Sequence, residues 1–148
     1  GETTRFRHEF DWTGTRDVSG WCVLPFLINY LENLIDGGLN EIMSRNNKLV
    51  LKGRDIICEK LNIAKPCPDE MISCIATLKL PGEAVNGIPL HEPDPLHVSL
   101  LEEYNIQVPV WYWPNPKGRY LRISAHLYNH DSEYEYLADA LFELLNKV

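Results

Sequence analysis

The sequence contains no apolar run approaching the roughly 20 residues that a bilayer-spanning helix requires. Its amino end, Gly1-Glu2-Thr3-Thr4-Arg5, also lacks the apolar core of a signal peptide, so the expectation is a soluble, intracellular chain with no membrane partner. There is no Lys/Arg-rich cluster either. With 14 basic against 21 acidic residues and a formal net charge of -7, neither a nucleic acid nor an anionic surface is the expected partner. No CxxC pair occurs among Cys22, Cys58, Cys67 and Cys74. Their irregular spacing in or near apolar segments predicts reduced core cysteines rather than a disulfide framework or a zinc site. Internal repeats and low-complexity tracts are absent as well.

What is present suffices for a core. At 148 residues the chain is too short for two ordinary domains, and a chain of that size buries roughly 70% of its unfolded surface. Asp17 or Ser19 can cap a helix carrying Trp21, Leu24, Leu27, Tyr30 or Leu31, and Leu34, with Pro25 either in its first turns or leaving a kink and Gly37-Gly38 as its end. A second helix follows at once, with Leu39, Ile42, Met43, Leu49 or Val50, Ile57 and Leu61 at helical spacing and Gly53 permitting a close approach. Lys65-Pro66-Cys67-Pro68 stops the helical region, and residues 71–80 read as a mostly buried strand closed by Pro81-Gly82. After a loop over 83–93, Asp94-Pro95 supplies a cap and an N1 proline for a short helix bearing Leu96, Leu100, Leu101 and Tyr104.

Ile106, Val108, Val110 and Tyr112 alternate as a strand does, and Pro109 marks an edge position or a bulge. The turn Pro114-Asn115-Pro116-Lys117-Gly118 joins this strand to the stretch 120–129, predicting an antiparallel hairpin. In that stretch Leu121, Ile123 and Ala125 alternate with Arg122, Ser124 and His126, so one face seeks a core while the other aims an arginine outward. Asp131 or Ser132 can cap the last helix, Ser132 and Glu135 have capping-box spacing, and Tyr134, Leu137, Leu141, Leu144 or Leu145, and Val148 form its apolar stripe. Its Glu/Tyr-rich start reads as a solvated face. The order helix, helix, strand, helix, strand, strand, helix predicts an α+β fold, with helices covering one face of a small, largely antiparallel sheet.

Some of these residues also carry a resemblance. Phe10-Asp11-Trp12-Thr13-Gly14-Thr15-Arg16-Asp17-Val18-Ser19, the helix with Val23-Leu24-Pro25, and Leu121-Arg122-Ile123-Ser124 through Tyr128-Asn129 occur in order with Leu90-His91, Tyr104-Asn105-Ile106 and Val108-Pro109-Val110. Together they resemble the C-terminal part of class V aminotransferase-like, pyridoxal-phosphate-dependent enzymes, nearest the isopenicillin N epimerase-like branch that includes cysteine desulfhydrases. The resemblance implies the small C-terminal domain of a fold-type I enzyme over residues 17–148, with 1–16 a linker from a missing large domain. It further implies pyridoxal 5'-phosphate as cofactor of the intact parent, an amino-acid substrate, and a second subunit completing a homodimer.

In the family the lysine that carries the cofactor lies upstream of the Trp12-Thr13-Gly14-Thr15 segment. None of Lys48, Lys52, Lys60, Lys65, Lys79, Lys117 or Lys147 matches its context, so the chain alone is expected to hold no catalytic lysine, bind no cofactor and be inactive. Arg122 matches the arginine that receives the substrate's α-carboxylate, a task suited to a planar guanidinium making two parallel hydrogen bonds. His126 is placed to line the same cleft. Gly14 and Thr15 match the segment that reaches the cofactor phosphate, the glycine by close backbone approach and the threonine by its hydroxyl. A plain turn-and-cap role for them stays open, and Asp17 offers Arg16 a local ion pair. His126 and His130 straddle a strand end and a turn rather than sharing a helical face, so no metal site is expected. Trp111 and Trp113 are expected to pack under neighbouring elements or against the large domain. The reaction stays open among cysteine breakdown, epimerisation and transamination, and the alternative is a stand-alone, non-catalytic interaction or regulatory domain of this fold.

Overall fold

Gly37 and Gly38, expected to separate the first two long helices, do so with positive φ values of 89° and 57°, a region open to glycine at little cost. In this computed structural model Gly37 lies between α2, Ser19–Glu32, and α3, Gly38–Leu61, and Gly38 opens α3. The structure describes residues 4–12, 14–82, 93–114 and 117–146. Thr13, Leu90-His91, the 83–92 part of the loop, Asn115-Pro116, Lys147 and Val148 lie outside the described residues. The chain divides into two compact units, Gly1–Leu39 and Asn40–Val148.

The first unit holds α1, Arg5–Phe10, and α2. The short α1 was not foreseen in the sequence; Thr4 caps it, and the exposed pairs Arg5–Glu9 at 2.7 Å and Arg7–Asp11 at 2.8 Å run along it. Such pairs contribute about 0.3–0.5 kcal/mol each. Neither helix has a buried residue, and in α2 Trp21 is 70% and Phe26 76% exposed. Asp17 accepts from the backbone N–H of Ser19 at 2.9 Å and from its hydroxyl at 2.8 Å. These bonds hold its carboxyl below the usual range. The carboxylate is thus engaged locally, and no Arg16–Asp17 ion pair forms among the described residues.

The second unit is built on a three-stranded antiparallel sheet in the order β1-β3-β2, with β1 at Ile75–Lys79, β2 at Val110–Pro114 and β3 at Lys117–Ser124. The expected hairpin is present, and β2 is an edge strand, as Pro109 foretold. Ala76, Leu78, Val110, Leu121 and Ile123 point to one face. There they meet Val50 and Ile57 of α3, Leu100 of α4 (Pro95–Tyr104), and Leu137 and Leu141 of α5 (Asp131–Asn146) in one buried cluster. Burying each such side chain contributes roughly 1.5–3 kcal/mol, so this face is the anchor of the unit. The opposite face carries Thr77, Trp111, Trp113, Tyr120 and Arg122, each half-buried or exposed. The fold is the expected α+β arrangement.

Local chemistry accounts for where the elements depart from expectation. Residues 71–80 do not form one long strand. Asp69–Met71 is a 3-10 turn, and the Asn47 amide donates to the carbonyls of Ile72 at 2.7 Å and Ser73 at 2.8 Å, removing those carbonyls from the sheet. Residues 106–109 are loop rather than strand. Asn105 closes α4 in the left-handed region, the Ile106 N–H returns to the Leu100 carbonyl at 2.9 Å, and His97 Nδ1 donates to the Val108 carbonyl at 2.7 Å. The expected cap on α4 is real: Asp94 accepts from the Leu96 N–H at 2.9 Å and also from Arg119 Nε at 2.9 Å. Of the four cysteines only Cys58 is buried, whereas Cys22 is exposed on α2, so the core assignment fails there. Gly53 makes the close approach anticipated for it, since an added Cβ would lie 2.6 Å from the Tyr134 ring.

Candidate functional site

Arg122 stands on the central strand, opposite Thr77 of β1, with its backbone N–H bonded to the Pro109 carbonyl at 3.1 Å. A middle strand held on both sides is a rigid place from which to aim a side chain. The guanidinium is exposed and has no side-chain hydrogen bond or ion pair among the described residues. Arg122 is among the residues that border a cleft of about 340 Å³, the others being residues 105–109, the end of β3, Asn129 and the first turns of α5. That volume suits a small metabolite. Among the described lining residues Arg122 is the one cation and Glu133 the one carboxylate.

The corner between β3 and α5 is held by a chain of side-chain bonds. Asn129 Oδ1 accepts from the His126 backbone N–H at 2.9 Å, and its amide donates to Glu133 Oε2 at 3.0 Å. The same Oε2 accepts from the His130 backbone N–H at 2.9 Å. This is the reciprocal half of a capping box, with His130 at the cap and Glu133 three residues on. The expected Ser132/Glu135 pairing is therefore displaced by two residues. Donation from the His130 N–H and the Asn129 amide holds the Glu133 carboxyl below the usual range against a small opposing effect of burial. Beside it Tyr134 donates its hydroxyl to the Ser124 carbonyl at 2.7 Å, and burial, aided by the nearby Glu133 and Asp131 charges, pushes the phenol up to about 12. It stays protonated and structural at neutral pH.

His126 lies just past the strand, its ring stacked on Tyr128 with centroids 4.8 Å apart, and the cleft walls are formed by other residues. Gly14 and Thr15 belong to the first unit, where both are exposed. Gly14 has φ +101°, and nothing stands within 4 Å of where a side chain would begin. Glu133, Tyr134 and Tyr136 line the cleft although the start of α5 read as a solvated face. The legible signal was the i, i+3 spacing of His130 and Glu133. No lysine is among the described lining residues, and Lys52, Lys60 and Lys65 are engaged with Asp131, Asp139 and Asp55. On the sheet face that carries Thr77, Trp111 stacks on Tyr120 at 6.4 Å and lines a shallow apolar hollow with Thr77 and Trp113.

No protein-family model matches the chain. It is 30% identical over 141 residues to a probable L-cysteine desulfhydrase, chloroplastic, of Arabidopsis thaliana, covering 90% of this chain and 29% of that protein. A second L-cysteine desulfhydrase of the same plant is 28% identical over 93% of this chain and 33% of its own length. The isopenicillin N epimerase of Amycolatopsis lactamdurans is 31% identical over 144 residues, 97% of this chain and 33% of that enzyme. The chain thus spans about a third of the length of the curated relatives it matches. Over nearly all of its own residues, this chain is a homologue of the L-cysteine desulfhydrases and isopenicillin N epimerases, the class V aminotransferase-like group that its motifs resemble.

Proposed function

We propose that this chain is the substrate-carboxylate-binding, cofactor-covering part of a pyridoxal-phosphate-dependent enzyme that acts on an amino acid. The observation that carries this reading is Arg122: an exposed arginine on a rigid central strand, beside a cleft, with no side-chain partner among the described residues. An arginine kept unpaired beside a cavity is poised for a planar anion. The homologues support an amino-acid carboxylate as that anion.

Each residue has a task in this reading. Arg122 binds the α-carboxylate and so fixes which bond at the α-carbon faces the reaction centre. Tyr134 and Asn129 hold the strand-helix corner that sets the arginine's surroundings. Gly14 fits a phosphate, since its open, positive-φ backbone admits close approach, and its N–H with the Thr15 hydroxyl would hold that group. The cofactor, when bound, supplies the electron sink for chemistry at the α-carbon. The lysine that attaches it belongs to a preceding region of the parent protein, so the chain alone has no turnover. A large domain and a second subunit are the partners that would cover the exposed Trp21 and Phe26 of α2 and the aromatic sheet face. An intracellular setting, a plastid included, agrees with the chloroplastic relative. Among the described residues no helix is long and apolar enough to cross a membrane.

In the intact parent enzyme, Arg122→Ala should lower kcat/KM for the amino acid by an amount equivalent to about 2–4 kcal/mol. An unaltered kcat/KM would refute the carboxylate assignment. The second reading, a stand-alone domain without catalysis, is favoured by the complete core of the second unit. A parent sequence with no cofactor lysine upstream would establish it instead.

A further inference from the structure

We infer that the sheet face carrying Trp111, Trp113 and Tyr120 binds a small planar aromatic acid, with the ring seated on these side chains and the acid group received by Lys79. The inference draws on other residues than the carboxylate reading of Arg122 and does not rest on it. Its first ground is charge. β1, β2 and β3 carry Lys79, Lys117, Arg119 and Arg122 and no aspartate or glutamate, in a chain whose formal net charge is -7. Arg119 is closed by Asp94, whereas Lys79 is exposed and has no ion pair or hydrogen bond among the described residues. An aromatic hollow beside such a cation complements a ring that bears an anion.

The second ground is geometry. Strand register pairs Trp111 with Tyr120 and Trp113 with Gly118, and it sets Lys79 beside Tyr120 on the other edge of the sheet. The hollow lined by Thr77, Trp111, Trp113 and Tyr120 has a volume of about 340 Å³, room for one ring with a short acid chain. Gly118 brings the lysine to it. A Cβ added at Gly118 would lie 2.7 Å from Lys79 Cε and 3.5 Å from its Cδ. The lysine stem therefore leaves its own edge strand and crosses onto the central one, over a buried position that has no side chain. Glycine inside a strand weakens it and is kept where another group must approach closely. Here that group is the stem of a cation, delivered next to the strand partner of Trp113. The large domain proposed to cover this face meets its rim, and the ligand fills the hollow.

The test is an NMR titration of the 148-residue chain with 3-phenylpropionate, propionate and 3-phenylpropanol. It follows the indole N–H signals of Trp111 and Trp113, with Trp12 and Trp21 as internal references. 3-Phenylpropionate should shift Trp111 and Trp113 saturably and bind about three- to fivefold more tightly than either other probe, the range of one exposed charge pair or one ring contact. Lys79→Gln should bring the acid down to the affinity of the alcohol and leave the alcohol unchanged, and Lys79→Arg, which keeps the charge, should preserve the preference. Gly118→Ala should act like Lys79→Gln, because the added methyl group displaces the lysine stem while all three aromatic side chains are kept. Arg122→Gln should weaken binding of the acid less than Lys79→Gln does. Equal affinity of acid and alcohol in wild type, the acid's full advantage retained in Lys79→Gln, or a larger loss in Arg122→Gln overturns the inference. So do silent indole signals, and so do shifts that appear on concentrating the protein without a probe, which would make a second copy of the chain the occupant.

Discussion

Two arginines of the second unit meet opposite fates. Arg54 of α3 is fully buried, with Nη1 2.7 Å from Asp69 Oδ1 and Nη2 2.7 Å from Asp55 Oδ1, and Asp55 is in turn held by Lys65 at 2.9 Å. Arg122 is exposed beside a cleft and has no carboxylate partner among the described residues. Burying a guanidinium is costly unless charge and hydrogen bonds are returned to it; at Arg54 two carboxylates return the charge, and Asp55 Oδ1 also accepts from Nε at 2.8 Å. The same group left unpaired on a wall of a cavity is instead available to a ligand. The difference teaches that the partners around an arginine, rather than the residue type, separate a structural role from a binding one.

Removing each arginine should separate the roles. Arg54→Ala leaves a void where a long side chain was and frees Asp55 and Asp69, and should lower unfolding free energy by about 2–4 kcal/mol in denaturant titration. Gly53→Ala, one residue away, drives a methyl group to 2.6 Å from the Tyr134 ring. It should cost about 1–3 kcal/mol despite the better helix propensity of alanine. Because Tyr134 also lines the cleft, this variant should weaken carboxylate binding as well, which thermal unfolding with and without L-alanine would reveal.

Acid should act on the Arg54 cluster too. Burial would raise the Asp55 carboxyl, but hydrogen bonds from Lys65 and Arg54 outweigh it and hold the group below its usual range. A depressed folded-state pKa means stability that is fully present above the unfolded value, about 3.9, and lost as pH falls through the folded value. Melting temperature should therefore fall below about pH 4 in the wild type. Asp55→Asn should start lower at neutral pH and converge with the wild type in acid. Smallest of all, Arg122→Ala should shift stability by no more than about 0.5 kcal/mol. A loss as large as that of Arg54→Ala would erase the contrast between the two.

Much of this was legible in the residues. The alternation of Leu121, Ile123 and Ala125 with Arg122, the Asp94-Pro95 cap and the Gly37-Gly38 break each rest on local stereochemistry, and each appears in the structure. What escaped depends on contacts distant in sequence. Arg54 sits in helical register with Val50, Ile57 and Leu61, so its place on the apolar stripe could have been read. Its pairing with Asp69, fifteen residues on in sequence terms, could not. The strand over 71–80 was overextended because the Asn47 amide, from another element, takes the carbonyls of Ile72 and Ser73. Glu133 was missed as a cleft residue because nothing local tells which side of α5 the loop 105–109 will cover.

The central claim, that Arg122 is held open for a carboxylate while Arg54 is closed by the protein's own acids, is tested most directly by following both side-chain Nε–H signals during titration with L-alanine. The account predicts a saturable shift at Arg122 and none at Arg54. A silent Arg122, or equal shifts at the two arginines, would contradict it.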